Sequence, residues 1–244
     1  MGALSVILGD RRKWTPQQLG GSLLAWWDAD RVDLITQSGE LISSWKDSVG
    51  GYDAIQASAG AKPAFLTAGF KGRPGAVFDG VDDELMVASI PGSFPLNDAP
   101  GEIWLLADQT ALPADTGQRV GFSYGGTNGA TSRRAFRSVI SGANRASGTA
   151  TSPGVSHSPV DLSGRHVMRF CVSDTDCRMD VDGVTGPAAA GVATGAVAAR
   201  ARLGASNGTS ASLFWQGMIA AALVTAPLSA AQADQMYAVF NRRL

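Results

Sequence analysis

Short apolar segments, separated by turn residues, recur along most of the chain. Pairs such as Gly50-Gly51, Asp79-Gly80 and Asp182-Gly183 fall between these segments, and such residues favour tight turns. Many short strands at this spacing, without strand–helix alternation, predict an antiparallel sandwich or barrel. The predicted strands are Leu23–Trp27, Leu41–Lys46, Asp53–Gln56, Ala76–Asp79, Glu84–Val87, Ile103–Ala107, Val120–Tyr124, Ala135–Ile140, His166–Val172, Cys177–Val181, Ala201–Gly204 and Leu213–Thr225.

Two segments carry helix signals. Thr15 and Gln18 have capping-box spacing, and Pro16 stands at the first helical position, which predicts one short helical turn. Ser229 and Gln232 repeat the capping box ahead of an apolar face with helical period. The residues of that face are Ala233, Met236, Tyr237, Phe240 and Leu244.

The rest of the chain divides into a tail, a domain and two weakly patterned stretches. Residues 1–13 end in a charge cluster and are interpreted as an N-terminal anchoring or assembly tail. Residues 14–244 are long enough for one large β-domain. Residues 141–160 and 184–199 are rich in Gly, Ala, Ser and Thr, which predicts long loops or weak edge strands.

Composition excludes several kinds of partner. The 244 residues carry a net charge of −1 and are 45% hydrophobic, so no bulk field attracts nucleic acid or an anionic membrane. The longest apolar run, Met218–Val224, is too short to span a bilayer. At the start of the chain the charges follow the apolar stretch, which is the reverse of a secretory signal. We therefore expect assembly in the cytoplasm, without nucleic acid and without membrane insertion.

The two cysteines flank a predicted turn. Cys171 and Cys177 could face each other across a hairpin, and a disulfide would then have suitable geometry. Free thiols are the expected state in a chain made in the cytoplasm.

Asp79, Asp82 and Asp83 form the densest acidic group in the sequence. Carboxylate oxygens on a loop suit Ca²⁺, although the spacing is not that of an EF-hand. Alternatively, these carboxylates accept hydrogen bonds from the backbone of a tight turn. We expect either no cofactor or one calcium ion at this group.

Five residues are predicted to bind a ligand: Tyr52, Tyr124, Asn128, Arg133 and Arg134. The tyrosines adjoin glycine-rich turns, the asparagine follows in the next loop, and the arginines belong to the one basic cluster. The alternatives are a place in the core for the aromatic rings and solvated surface for the arginines.

Signals for catalysis are weak. Ser123 sits in a Gly-x-Ser-x-Gly pattern, but a loop follows where a nucleophile elbow needs a helix. Glycosidases need two carboxylates flanking the scissile bond, whereas Glu40, Glu84 and Glu102 are widely scattered. Asp180 and Asp182 are interpreted as a hairpin end. The sequence therefore predicts a protein that is not an enzyme.

Several segments together resemble the concanavalin A-like lectin/glucanase superfamily, and within it the laminin-G-like modules of phage and phage-like virion proteins. They are LAWWDAD, WKDSVGGYDAIQ, GRPGAVFDGVDDEL and the closing FWQGMIAAALV followed by LSAAQ. The resemblance covers roughly residues 14–244 and implies a two-sheet antiparallel jelly-roll sandwich. It also implies carbohydrate binding or protein–protein attachment, in some members with calcium.

These observations lead to one functional expectation and two alternatives. The expectation is a non-enzymatic component of a phage or phage-like virion: a head or tail fibre, spike or decoration protein. Its lectin-like domain would bind host-surface polysaccharide, its tail would contact other virion proteins, and it would form a homo-oligomer. The alternatives are a purely structural interaction module of a virion and, disfavoured by the scattered carboxylates, a glycan hydrolase.

Overall fold

The chain folds almost entirely as antiparallel β-structure. The computed structural model describes these residues: 14–96, 99–109, 118–126, 133–140, 144–149, 155–157, 162–190, 200–207 and 211–244. Within these ranges, no helix is both long and apolar enough to cross a bilayer.

The described residues form nineteen strands, one α-helix and three short 3-10 turns. The strands are β1 Leu23–Asp28, β2 Ile35–Ser38, β3 Leu41–Trp45, β4 Ala54–Ile55, β5 Ala64–Phe70, β6 Arg73–Asp79, β7 Leu85–Val87, β8 Gly101–Gln109, β9 Gln118–Gly125, β10 Arg133–Ile140, β11 Asn144–Thr149, β12 Val155–His157, β13 Gly164–Val172, β14 Asp176–Val181, β15 Val184–Ala190, β16 Arg200–Leu203, β17 Ser206–Asn207, β18 Ala211–Ser212 and β19 Gln216–Thr225. The helical segments are the 3-10 turns Pro16–Ser22, Val32–Leu34 and Ala59–Ala61, and helix α1 Ala230–Phe240.

Seventeen strands belong to one hydrogen-bonded sheet with two arms. In the first arm, β19 pairs with β8 on one edge and with β1 and β6 on the other, and the arm continues through β13, β14 and β15. The second arm runs β2-β3-β4-β7-β16-β9-β10-β11-β12. Pairing of Leu41 in β3 with Ala64 in β5 joins the arms, and β5 pairs with β6.

Two apolar clusters stabilise this sheet. The larger one contains side chains from both arms, and the rings of Trp27 on β1 and Phe122 on β9 lie 5.6 Å apart. The smaller one packs α1 against the other face of the first arm and includes Trp26, Trp104 and Phe240. Neighbouring residues of a strand point to opposite faces, so Trp26 and Trp27 enter different clusters.

Both predicted helical segments are confirmed, and so is the capping of α1. The Ser229 hydroxyl accepts a hydrogen bond from the Gln232 amide at 3.3 Å, while the Gln232 side chain accepts one from the Ser229 amide at 2.9 Å. In the first 3-10 turn, the Gln18 side chain accepts a hydrogen bond from the Thr15 amide at 2.9 Å. These bonds satisfy backbone donors that have no partner inside the helical turn.

Three strands lie within the stretches predicted as loops or weak edge strands. They are β11, β12 and β15, and most described side chains of β15 are exposed. Each of the three pairs with a neighbouring strand: β11 with β10 and β12, and β15 with β14. At Gly186 a Cβ atom would lie 2.2 Å from the Met179 carbonyl oxygen, so a side chain there would break the approach of β15 to β14.

The hairpin predicted at Asp182-Gly183 is confirmed. Both residues have positive φ, 52° and 84°, as a tight two-residue turn between β14 and β15 requires. On the neighbouring turn, Cys171 and Cys177 are free thiols, and their strand partners are Arg178 and Val172 rather than each other.

Candidate functional site

The acidic group forms a closed turn at the end of β6. One Asp79 carboxylate oxygen accepts from the Val81 amide at 2.7 Å and from the Asp82 amide at 3.3 Å. Asp83 accepts from the Asp79 amide at 2.9 Å. The turn interpretation therefore accounts for part of the hydrogen-bonding capacity of these carboxylates.

The same group keeps a geometry that suits a cation. One carboxylate oxygen from each of Asp79, Asp82 and Asp83 lies within 4.8 Å of the other two. Burial raises the pKa of Asp83 to about 6, and the nearby Asp79 and Asp82 charges add to this shift. A hard cation such as Ca²⁺ binds six to eight oxygens, so these three residues could supply part of its shell.

The two predicted tyrosines have different environments. Tyr52 is half-buried and packs edge-on against Phe94, with ring centroids 5.5 Å apart. Tyr124 is fully buried, and its hydroxyl donates to the Pro95 carbonyl at 3.0 Å. Tyr124 therefore belongs to the core and does not reach the surface, whereas Tyr52 keeps an accessible edge.

The predicted basic residues lie on β10. Strand register places Arg133 and Arg200 on either side of Gly125, and Arg134 opposite Tyr124. Asn128 lies outside the described residues. The register thus places Arg133 and Arg200 at the same level of the sheet, with β9 between them.

The residues considered for hydrolysis have structural roles. Ser123 is fully buried in β9 and donates its hydroxyl to the Ala205 carbonyl at 2.9 Å, so it is not a nucleophile. Glu102 is buried and accepts from Arg169 at 2.6 and 3.0 Å and from the Trp104 indole at 2.8 Å. Its negative charge is neutralised inside the domain.

Sequence reasoning missed a cleft where the first 3-10 turn, β1 and the end of α1 meet. Its volume is about 240 Å³. The aromatic wall comes from Trp14, which is half-buried, together with Trp26 and Phe240, which are buried. The described residues offer no acceptor to the buried indole nitrogen of Trp26.

Charged side chains line the other wall of this aromatic cleft. Arg243 contacts Asp28 at 3.0 Å and Asp30 at 3.4 Å, and Arg73 contacts Asp30 at 2.8 Å. Burial raises the pKa of Asp28, and the Arg243 charge opposes that shift. Arg242 also lines the cleft.

The cleft escaped sequence analysis because its parts come from distant segments. The adjacent pair Trp26-Trp27 and the pair Asp28 and Asp30 stand together in the sequence, but Arg243 lies more than 200 residues away. The sequence signal for this cleft is the pair Arg242-Arg243 directly after the amphipathic helix, together with the aspartates at the end of β1.

No family model matches the sequence, and no curated protein matches it. Solved structures do match the fold. Domain 4 of the extracellular GH43 arabinanase AbnA from Geobacillus stearothermophilus, in complex with arabinotriose, matches 88% of this chain and 98% of that one, with 18% identity and a TM-score of 0.57. An arabinofuranosidase complexed with arabinofuranosyl-alpha-1,2-xylobiose matches 91% of this chain at 12% identity, with a TM-score of 0.62.

A sialidase from Trypanosoma rangeli in complex with the inhibitor DANA also matches, with 12% identity and a TM-score of 0.59. The chain spans 32% of that sialidase and 59% of the arabinofuranosidase. At these identities the likeness establishes the fold, which is one used by domains of carbohydrate-active proteins.

These matches correct two predictions. The chain was expected to be a non-enzymatic phage or virion component, but the matched structures reported above are of an arabinanase, an arabinofuranosidase and a sialidase. The expectation that the protein is not an enzyme is contradicted by the same neighbours. Wide spacing of Glu40, Glu84 and Glu102 along the sequence does not by itself exclude hydrolysis, because residues distant in sequence can meet in the fold.

Proposed function

We propose that this chain is a carbohydrate-active protein whose β-domain binds a glycan. The observation that carries the proposal is the match to nearly the whole of an arabinanase domain solved with arabinotriose. Other matches are to proteins solved with sugars or sugar-like inhibitors. The glycan is thus the partner class with the best support, and self-association stays a prediction.

Within this proposal, the two arms of the sheet close into a two-layer jelly-roll sandwich of the concanavalin A-like kind. The contact between Trp27 and Phe122 supports it, because these rings come from different arms and meet in one core. Sandwiches keep their inner side chains in a shared layer about 10 Å thick.

Binding and turnover are tested together on the full chain. The protein is applied to an array that includes arabinan, xylan and sialylated glycans, and the same polymers are incubated with it and analysed for released sugar. We expect retention on at least one glycan class, and released sugar if the domain also carries the hydrolytic activity of its neighbours. Heat-denatured protein is the control. The proposal is rejected if the protein is retained on no glycan of the array and releases sugar from none of the polymers.

Calcium at the acidic group is a second proposal, carried by the convergence of Asp79, Asp82 and Asp83 within 4.8 Å. Millimolar Ca²⁺ should raise the melting temperature, because a ligand that binds only the folded state stabilises it. The Asp82→Asn variant should lose this response, whereas Asp234→Asn, an exposed aspartate on α1, should keep it. An equal response in both variants would reject the site.

A further inference from the structure

We propose that the aromatic cleft between the first 3-10 turn, β1 and the end of α1 is the glycan-binding site, and that it takes one or two residues of a neutral sugar. This inference rests on the proposed function. It adds the place on the molecule and the chemistry of the ligand.

The aromatic wall supplies the stacking surface. Trp14 is half-buried and so presents part of its ring, while Trp26 and Phe240 close the wall behind it. A sugar ring offers apolar C–H faces that pack on such rings, and tryptophan combines that surface with a polar edge. Pockets for drug-sized molecules begin at about 300 Å³, so a cleft of about 240 Å³ holds a short ligand end rather than a chain.

The charged wall supplies matched donors and acceptors. Arg73 and Asp30 form a 2.8 Å ion pair whose side chains are 48% and 27% exposed, so both remain within reach of a ligand. Each hydroxyl of a sugar both donates and accepts hydrogen bonds. An arginine–aspartate pair therefore fits two neighbouring hydroxyls without demanding a charge on the ligand.

Pairing of the charges inside the cleft favours a neutral ligand over an anionic one. Arg243 is only 6% exposed and is held by Asp28, Asp30 and the Ala220 carbonyl. Three arginines and two carboxylates line the cleft: Arg73 and Arg243 are each paired with a carboxylate, and the exposed Arg242 lies beside them. An acidic sugar is the alternative that the experiment separates.

The indole nitrogen of Trp26 gives independent support. Trp26 is 5% exposed, and its N–H group has no acceptor among the described residues. Buried polar groups are nearly always hydrogen-bonded, and an exception calls for an explanation. Here the unpaired N–H group belongs to a residue that lines the cleft, which marks this wall as short of hydrogen-bond acceptors.

Matched ion-pair variants test the site. Arabinotriose and sialic acid are titrated into the full-length protein and followed by tryptophan fluorescence and by saturation-transfer NMR at about 10 mM ligand. Arg73→Ala should weaken arabinotriose binding about tenfold, the usual worth of a hydrogen bond to a charged group. Arg31→Ala is the control, because Arg31 forms a similar 2.8 Å pair with Asp33 that does not line the cleft. Trp14→Phe should also weaken binding, and both cleft variants should keep the wild-type melting temperature.

Each outcome decides the question. Loss of arabinotriose binding in Arg73→Ala but not in Arg31→Ala supports the inference. Unchanged binding in all variants places the site elsewhere and leaves the proposed function intact. Preference for sialic acid overturns the neutral ligand. If arabinotriose does not bind but the array retains the protein on another glycan, only this inference fails. If the array retains the protein on no glycan, the proposed function fails as well.

Discussion

Arg169 is a charged residue that the domain keeps almost entirely from water. It is 6% exposed, forms two hydrogen bonds with Glu102, and contacts Asp180 at 3.4 Å. Its guanidinium also lies 5.1 Å from the centre of the Trp104 ring. A buried charge is tolerated when partners surround it in this way.

Removing that charge should be costly. We expect Arg169→Met to lower the free energy of unfolding by about 3–5 kcal/mol, because the buried Glu102 loses its counter-charge and the buried Asp180 keeps only Arg178. Urea denaturation measures the loss. The same change at the exposed Arg31 should cost at most about 1 kcal/mol, and equal losses at both positions would contradict this account.

Ionisation of Asp83 should make the folded protein less stable as pH rises, whereas most paired carboxylates in folded proteins have the opposite effect. Its pKa is raised to about 6 by burial, whereas an unfolded aspartate titrates near about 3.9. Between these values the folded state binds more protons, so stability falls as pH rises. Asp83→Asn should therefore be more stable than the wild type at pH 7 and equal to it near pH 4. Thermal melts across this range would show it, with Asp234→Asn following the wild-type curve throughout.

For single residues, the sequence predicted which neighbouring side chains come together, but not which of them are exposed or which distant residues they meet. The acidic group does come together, because its members are close along the chain and share one turn. Tyr124 looked accessible beside Gly125, yet the pleat of β9 turns its ring into the core. The aromatic cleft could not be predicted, since no local pattern joins Asp28 to Arg243.

At the scale of elements, α1 is anchored to β1 by charge as well as by apolar packing. Met236 and Phe240 are buried under the helix, and Arg243 follows directly, 3.0 Å from Asp28. The arginine also donates to the Ala220 carbonyl on β19. The end of the helix is therefore fixed to both strands.

Arg243→Ala should loosen this anchor and destabilise the protein. We expect a loss of about 3–5 kcal/mol, because the buried Asp28 carboxylate would lose its counter-charge. At low pH the loss should shrink, since protonation of Asp28 removes the unpaired charge. Urea denaturation at pH 7 and pH 4 measures both effects. Arg242→Ala, at the exposed neighbour, should cost at most about 1 kcal/mol; a similar loss in the two variants would argue against the anchor.

Strands with an apolar run were predictable, whereas in the stretches of small residues the sequence left loops and weak edge strands as alternatives. β8 and β19 follow from continuous apolar runs, and the capped helix follows from Ser229 and Gln232. β15 has an almost wholly exposed pattern, so hydrophobicity gives no sign of it. Its formation depends on the neighbouring strand, which a local reading of the sequence does not contain.

At the scale of the whole molecule, the two arms share one core. Phe122 on β9 contacts Trp27 on β1 across the domain, and both side chains are fully buried. The order of strands within each arm was not predictable, because partners such as β1 and β19 lie at opposite ends of the described sequence.

A shared core predicts coupled unfolding of the arms. Phe122→Ala should cost about 3–5 kcal/mol, the usual range for a buried aromatic residue, and should speed hydrogen exchange in β8 as well as in β9. Exchange mass spectrometry with peptides from each strand tests this. Val184→Ala, at an exposed position, should leave both strands protected. Faster exchange confined to β9 would show that the arms open independently.

The pairing of β1 with β19 also sets a condition on biosynthesis. Roughly 190 residues separate the end of β1 from the start of β19, which at ordinary translation rates is about 10–40 s. During that time β1, an apolar strand with Trp26 and Trp27, has been synthesised but its hydrogen-bonding partner β19 has not. Unpaired apolar strands of this kind associate with other chains. Co-expression with abundant chaperone should therefore raise the soluble yield of this protein.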